Sequence, residues 1–255
     1  MAFYEGRDYR LVEELMDRCM SGEASQVSAY LADYNWAHAF DRMVMEHCLM
    51  IVCDSYRDMP AREGEKVQIA TMLIDKGTSV GLLGRALIAA CRHRREELAS
   101  LLLDRGADPN RHAPSYGGPP LVVVCRRDHP HAFARMLLDC GADPCLCDGQ
   151  GRTPLHLAMN ALDLPNEHVD RRVDNARLLL ERGAGSTIYR KDRWGRTPID
   201  LARGQPRMIA LLRKYFTIIV RKYVIGGNAE HPSRNRMKHL APQMASFLIP
   251  DPILI

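Results

Sequence analysis

Four stretches of the chain set apolar residues at helical spacing and then close on a glycine. They are MLIDKGTSV at 72–80, LLLDRGADP at 101–109, MLLDCGADP at 136–144 and LLLERGAGS at 178–186. Each predicts the end of an amphipathic helix, with Gly77, Gly106, Gly141 and Gly183 as left-handed caps. A second element recurs between them: GRAL at 84–87, GPPL at 118–121, GRTPLHLA at 151–158 and GRTPIDLA at 195–202. Its key apolar positions, Leu87, Leu121, Leu155 and Ile199, are 34, 34 and 44 residues apart. In the two fuller copies Thr153 and Thr197 supply cap hydroxyls, and Pro154 and Pro198 fill the first helical position, where no N–H is needed. Leu155 and Ile199 then point into a core, and Ala158 and Ala202 let neighbouring helices approach closely. The pattern predicts an all-α chain of repeating helix pairs. The excess of the last spacing is expected in a polar loop at 163–172.

Weaker copies extend the array towards the N-terminus. Residues 44–53 and 67–75 read as one helix pair with a long loop at 55–65 between them. Residues 11–20 and 24–32 read as another, joined through Ser21 and Gly22. About six pairs are expected over residues 8–213, the terminal ones divergent because an end unit faces water on one side. The expected organisation is a degenerate N-terminal capping repeat at 1–37, repeats at 38–213 and a C-terminal cap or docking segment at 214–255. That last segment sets apolar stretches at 216–225 and 239–249 around a polar loop at 226–236.

The segments DGQGRTPLHLA (148–158) and DRWGRTPIDLA (192–202), with both copies of LLDxGADP, resemble the ankyrin-repeat family. The resemblance implies antiparallel helix pairs joined by projecting β-hairpin-like loops and stacked into a curved solenoid. It implies that His156 hydrogen-bonds within its own turn and to the adjacent loop. It also places Asn110, in GADPN, at the hairpin position that asparaginyl hydroxylases modify. The function it implies is a non-enzymatic scaffold or adaptor that binds a protein partner through its concave face and loop tips. The residues expected there are His112, Tyr116, Gln150, Tyr189, Arg193 and Trp194. The tail, with LAPQMASFL after its loop, resembles the suppressor-of-cytokine-signalling box that follows some ankyrin arrays. This implies an alternative, the substrate-recognition subunit of a ubiquitin ligase. Phe216, four residues after Leu212, departs from the small residue or cysteine that such a box carries for elongin binding.

Composition narrows the remaining chemistry. The 255 residues are 46% hydrophobic and 26% charged, close to a soluble globular average. The longest stretch without Asp, Glu, Lys or Arg is His112–Cys125, interrupted by Gly117, Gly118, Pro119 and Pro120. That is too short to span a bilayer. MAFYEGRDYR at the start lacks the apolar segment of a secretory signal. The eight cysteines are therefore expected as reduced thiols of a cytoplasmic or nuclear protein. A net charge of +4 is too small to imply nucleic acid. The basic runs at 92–95, 126–127, 171–172 and 190–196 lack the interleaved aromatics of a single-strand binder and read as solvated surface.

No cofactor or metal is expected. Cys140, Cys145 and Cys147, with His112, His129 and His131 as possible neighbours, lack the paired spacing of a structural zinc site. Cys91 and Cys125 occupy helix-core positions, where burial as small hydrophobes accounts for them. His156 has no accompanying nucleophile or acid, and Asp200 takes its place in the next copy. A structural role is expected there.

Overall fold

The apolar stretches fold as helices because each buries one stripe against its neighbours. In the computed structural model the described residues are 6–33, 39–54, 63–127, 129–160 and 166–220. They contain α1 (Gly6–Ser21), α2 (Ala24–Asp33), α3 (Ala39–Asp54), α4 (Glu63–Asp75), α5 (Val80–Arg92) and α6 (Glu96–Asp104). Then follow α7 (Pro120–Arg126), α8 (His131–Asp139), α9 (Pro154–Met159), α10 (Asn166–Glu181), α11 (Pro198–Ala202) and α12 (Pro206–Val220). No strand occurs among the described residues, so the fold is all-α.

The packing has two rows. Among the odd-numbered helices α1 meets α3, α3 meets α5, α5 meets α7, α7 meets α9 and α9 meets α11. Among the even-numbered ones α2 meets α4, α4 meets α6, α8 meets α10 and α10 meets α12. Within pairs α1–α2, α3–α4, α5–α6, α7–α8 and α9–α10 lie against each other. This is a solenoid of helix pairs, in which each unit contacts only its neighbours.

Small residues set the close approach of the odd-numbered row. Ala86, Ala89 and Ala90 of α5, Ala158 of α9 and Ala202 of α11 are buried beside Leu87, Leu121, Leu155 and Ile199. Leu98, Ala99 and Leu102 of α6 and Phe133, Ala134 and Leu137 of α8 close the core from the even-numbered row. Each fully buried Leu or Phe contributes roughly 1.5–3 kcal/mol. The outer helices end as the glycine pattern dictates: Gly106, Gly141 and Gly183 have φ of +85°, +89° and +100°. Ala107 N–H donates to Leu102 O and Ala142 N–H to Leu137 O, both at 2.9 Å. These bonds satisfy carbonyls that the helix itself leaves without a partner.

Two loop expectations fail in part within the repeats, the first because residues 63–65 of the loop expected at 55–65 open α4. Residues 166–172 of the expected loop at 163–172 are helical, because α10 begins at Asn166. Polarity misled here. The lengthened helix keeps Val169 buried on one face and uses its polar residues in pairing, with Asp170 on Arg207 and Arg172 on the Leu157 carbonyl. The expected apolar helices at 44–53, 67–75, 11–20 and 24–32 fall within α3, α4, α1 and α2. Residues 221–255, which hold the LAPQMASFL segment and most of the segment at 214–255, lie outside the described residues.

Candidate functional site

The hairpins between α8 and α9 and between α10 and α11 carry the same local machinery. Thr153 caps α9: its hydroxyl accepts from His156 N–H, and His156 Nδ1 accepts from Thr153 N–H at 3.1 Å. Thr197 and Asp200 repeat the capping box at α11, with Asp200 Oδ2 accepting from Thr197 N–H at 2.9 Å and from its hydroxyl at 2.7 Å. Pro154 and Pro198 open the two helices, and Leu155 and Ile199 follow in the core. Because Nδ1 of His156 accepts, Nε2 carries the proton and donates to Arg196 O at 3.2 Å. Burial lowers the His156 pKa, although the Arg196 carbonyl pulls the other way, so the imidazole is neutral.

Before each Thr-Pro stands an aspartate that the sequence reading passed over. Asp148 Oδ1 accepts from the N–H groups of Gln150 and Arg152, both at 2.9 Å. Asp192 Oδ1 accepts from those of Trp194 and Arg196, again at 2.9 Å. Burial raises both carboxyl pKa values, but hydrogen bonds outweigh it and hold them below the ordinary value. For each, the largest opposing contribution is the backbone N–H of its own arginine, Arg152 or Arg196. The signal was present in the quoted motifs, where an Asp precedes an Arg by four residues in both copies.

The two hairpins are joined by one backbone hydrogen bond, Arg193 N–H to Gln150 O at 2.9 Å. This brings Gln150, Arg193 and Trp194 together. Trp194 is 55% exposed, and its ring lies 4.9 Å from the Arg196 guanidinium carbon and 5.9 Å from that of Arg152. Cation–π contacts of this length hold an indole without covering it. Arg193 is exposed.

The other expected contact residues lie elsewhere. His112 is exposed on the segment after Asn110. Tyr116 sits in a single 3-10 turn, Pro114–Tyr116. Its ring packs 5.8 Å from the Arg92 guanidinium at the end of α5, and burial raises its pKa. Tyr189 is half-buried, its hydroxyl buried with no partner among the described residues. Asn110 bridges two hairpins: its amide donates to Gly141 O at 3.0 Å and accepts from Asp143 N–H at 2.7 Å. Of the basic run at 92–95, His93 pairs with Asp54 at 2.9 Å and Arg95 with Glu63 at 2.8 Å. That run is therefore only partly solvated surface.

Cys91 and Cys125 are buried, Cys140 is exposed, and Cys145 and Cys147 are intermediate. Arg190 reaches Cys147 Sγ at 3.3 Å, and Cys145 Sγ lies 3.3 Å from Ser186 Oγ. No three His, Cys, Asp or Glu side chains converge as a metal cluster among the described residues. No helix among them is long and apolar enough to cross a membrane.

Comparison with known proteins agrees with this architecture. The ankyrin-repeat family model matches residues 86–113, from α5 to the segment beyond α6. The chain is 34% identical over 124 residues to human SH3 and multiple ankyrin repeat domains protein 2, covering 48% of this chain and 6% of that protein. It is 33% identical over 107 residues to human ankyrin repeat and SOCS box protein 6, covering 42% and 25%. It is 48% identical over 60 residues to human neurogenic locus notch homolog protein 4, covering 24% and 3%. The chain thus spans a quarter or less of the length of each of these relatives. Helix pairs and capping boxes agree with the likeness of this chain to ankyrin-repeat proteins.

Proposed function

We propose that the chain is a non-enzymatic protein-interaction scaffold whose hairpin loops and inner helices hold a protein partner. The observation that carries this reading is Trp194, exposed yet in contact with the guanidiniums of Arg152 and Arg196. A large amphipathic side chain fixed before binding loses little conformational freedom on contact, and such residues dominate binding energy. Arg193 beside it and the Gln150 hairpin extend the surface. Loops on a rigid scaffold are the usual carriers of recognition. A soluble setting in the cytoplasm or nucleus fits the free thiols. Photo-crosslinking tests this: a photoreactive amino acid at Arg193 should give a discrete protein adduct, whereas one at Arg135, exposed on α8, should not. Equal adducts at both positions would contradict the reading.

A second reading, the substrate-recognition subunit of a ubiquitin ligase, draws on the likeness to ankyrin repeat and SOCS box protein 6. Here the repeats hold the target and the tail docks the ligase. Removing residues 221–255 leaves α12 intact and should abolish capture of ligase subunits on this reading alone.

A further inference from the structure

The two aspartates of the hairpins are neutralised differently. Asp192 meets one arginine: Nε and Nη2 of Arg196 both reach its Oδ2, at 3.1 and 3.0 Å. That pair is a neutral fork. Asp148 meets two, with its Oδ2 accepting from Arg126 Nη2 at 2.7 Å and from Arg152 Nε at 2.9 Å. With Oδ1 already on two backbone N–H groups, the carboxylate is saturated.

One negative charge therefore faces two guanidiniums, and their donors are not used up. Arg126 puts the same Nη2 on Gly117 O at 2.6 Å, while its Nε is buried with no partner among the described residues. Arg152 reaches Asp148 through Nε, and its terminal nitrogens make no hydrogen bond among the described residues. No second carboxylate pairs with either arginine there. Both side chains remain partly open, at 31% and 24% exposure, over an Asp148 at 3%. A charge excess in a partly dehydrated setting attracts an anion more strongly than one in open water. Burial and the neighbouring Arg152 charge both lower the Arg126 pKa, and Arg127 adds to the same repulsion.

We propose that the Arg126–Asp148–Arg152 cluster, beside Trp194, seats an Asp or Glu side chain of an extended polypeptide partner. The proposal rests on the scaffold reading above and names the chemistry of its partner. The incoming carboxylate takes the unused guanidinium donors and restores neutrality. Trp194, 5.9 Å from the Arg152 guanidinium, receives an aromatic or aliphatic neighbour of that acid. A polypeptide fits better than a nucleic acid: the site has one aromatic and one uncompensated charge. A single strand asks for a cationic track with successive stacking side chains.

The test is selection of short random peptides displayed on phage against the whole chain at low salt, followed by affinity measurement on the selected peptide. The selected sequences should be rich in Asp or Glu next to an aromatic or aliphatic residue. Arg152→Gln, which leaves the Arg126–Asp148 pair in place, should weaken binding roughly tenfold, as should Arg126→Gln. Arg177→Gln, on the outer α10 pair with Asp174, should change nothing. Circular dichroism confirms that each variant is folded. Peptides that bind but lack acidic residues, or that ignore Arg152→Gln, overturn this proposal and leave the scaffold reading standing. A thymidine oligonucleotide that binds more tightly than the peptides also overturns it. A selection that yields no binder contradicts both.

Discussion

Nε2 of His156 lies 3.2 Å from the carbonyl oxygen of Arg196, forty residues further along the chain. One buried ring therefore does two jobs. Nδ1 completes the cap of its own helix with Thr153, and Nε2–H fastens the next hairpin. Asp200, its counterpart at α11, makes the cap alone with Thr197. A carboxylate has no proton with which to reach a further carbonyl.

His156→Asn should accordingly destabilise the repeats by about 1–3 kcal/mol through the lost buried hydrogen bonds, read by urea denaturation. It should also change the pH dependence. The folded His156 pKa is depressed, so the unfolded chain takes up the proton first, near the ordinary value of about 6.5. The stability this residue contributes is complete above that value and is lost as the pH falls towards the folded one. Asp148 and Asp192, also depressed, contribute stability present above the ordinary carboxylate range of about 4 and lost below it. Loss of stability on acidification should thus begin at higher pH in the native chain than in His156→Asn. Coincident profiles would refute the assignment.

Gly106→Val and Gly141→Val should each cost about 1–3 kcal/mol. A Cβ built at either position meets nothing within 4 Å, so the cost comes from the backbone alone, at φ of +85° and +89°. Gly64 in α4 provides the control. A Cβ there is equally unobstructed and no positive φ is present. Gly64→Ala should stabilise by roughly 0.5–1 kcal/mol through helix propensity. Thermal melts that leave all three unchanged would remove the capping argument.

Cys140 interrupts a ladder on the outer helices. Arg105 pairs with Asp75 at 2.5 Å and Arg182 with Asp139 at 2.6 Å, each reaching back one repeat. Cys140 holds the repeat position of Arg105 and Arg182, and Asp104 that of Asp75 and Asp139, but no ion pair joins Asp104 among the described residues. Cys140→Arg should restore the rung and raise stability by a few tenths up to about 1 kcal/mol, an increment erased by high salt. A gain that survives high salt would point to some other cause.

The helix pairs were legible because the same apolar positions and the same closing glycine recur in each, and local spacing is all that a helix stripe requires. Leu155, Ile199, Gly106 and Gly141 could be placed from spacing alone. The lengthened α10 was not legible, since Asn166–Arg172 is polar on every side but that of Val169 and its partners, Arg207 and the Leu157 carbonyl, come from other elements. The candidate site was half legible. Trp194 was marked as a loop residue, but Arg126 joins Asp148 across 22 residues, and no spacing within one repeat announces that contact. The contact of Tyr116 was hidden in the same way, since its ring lies 5.8 Å from the guanidinium of Arg92 in α5, 24 residues earlier.

The most direct measurement of the hairpin-face account is the affinity of the crosslinked partner, by calorimetry, for Trp194→Ala against an Arg94→Ala/Arg127→Ala double variant. Arg94 and Arg127 are exposed at the turns between paired helices, the end of each unit opposite the hairpins. The account predicts that Trp194→Ala weakens binding by about 1–4 kcal/mol while the circular dichroism spectrum stays helical, and that the double arginine variant binds as the native chain does. Loss of binding in the arginine variant, with Trp194→Ala unaffected, would contradict it and move the partner to the turn side.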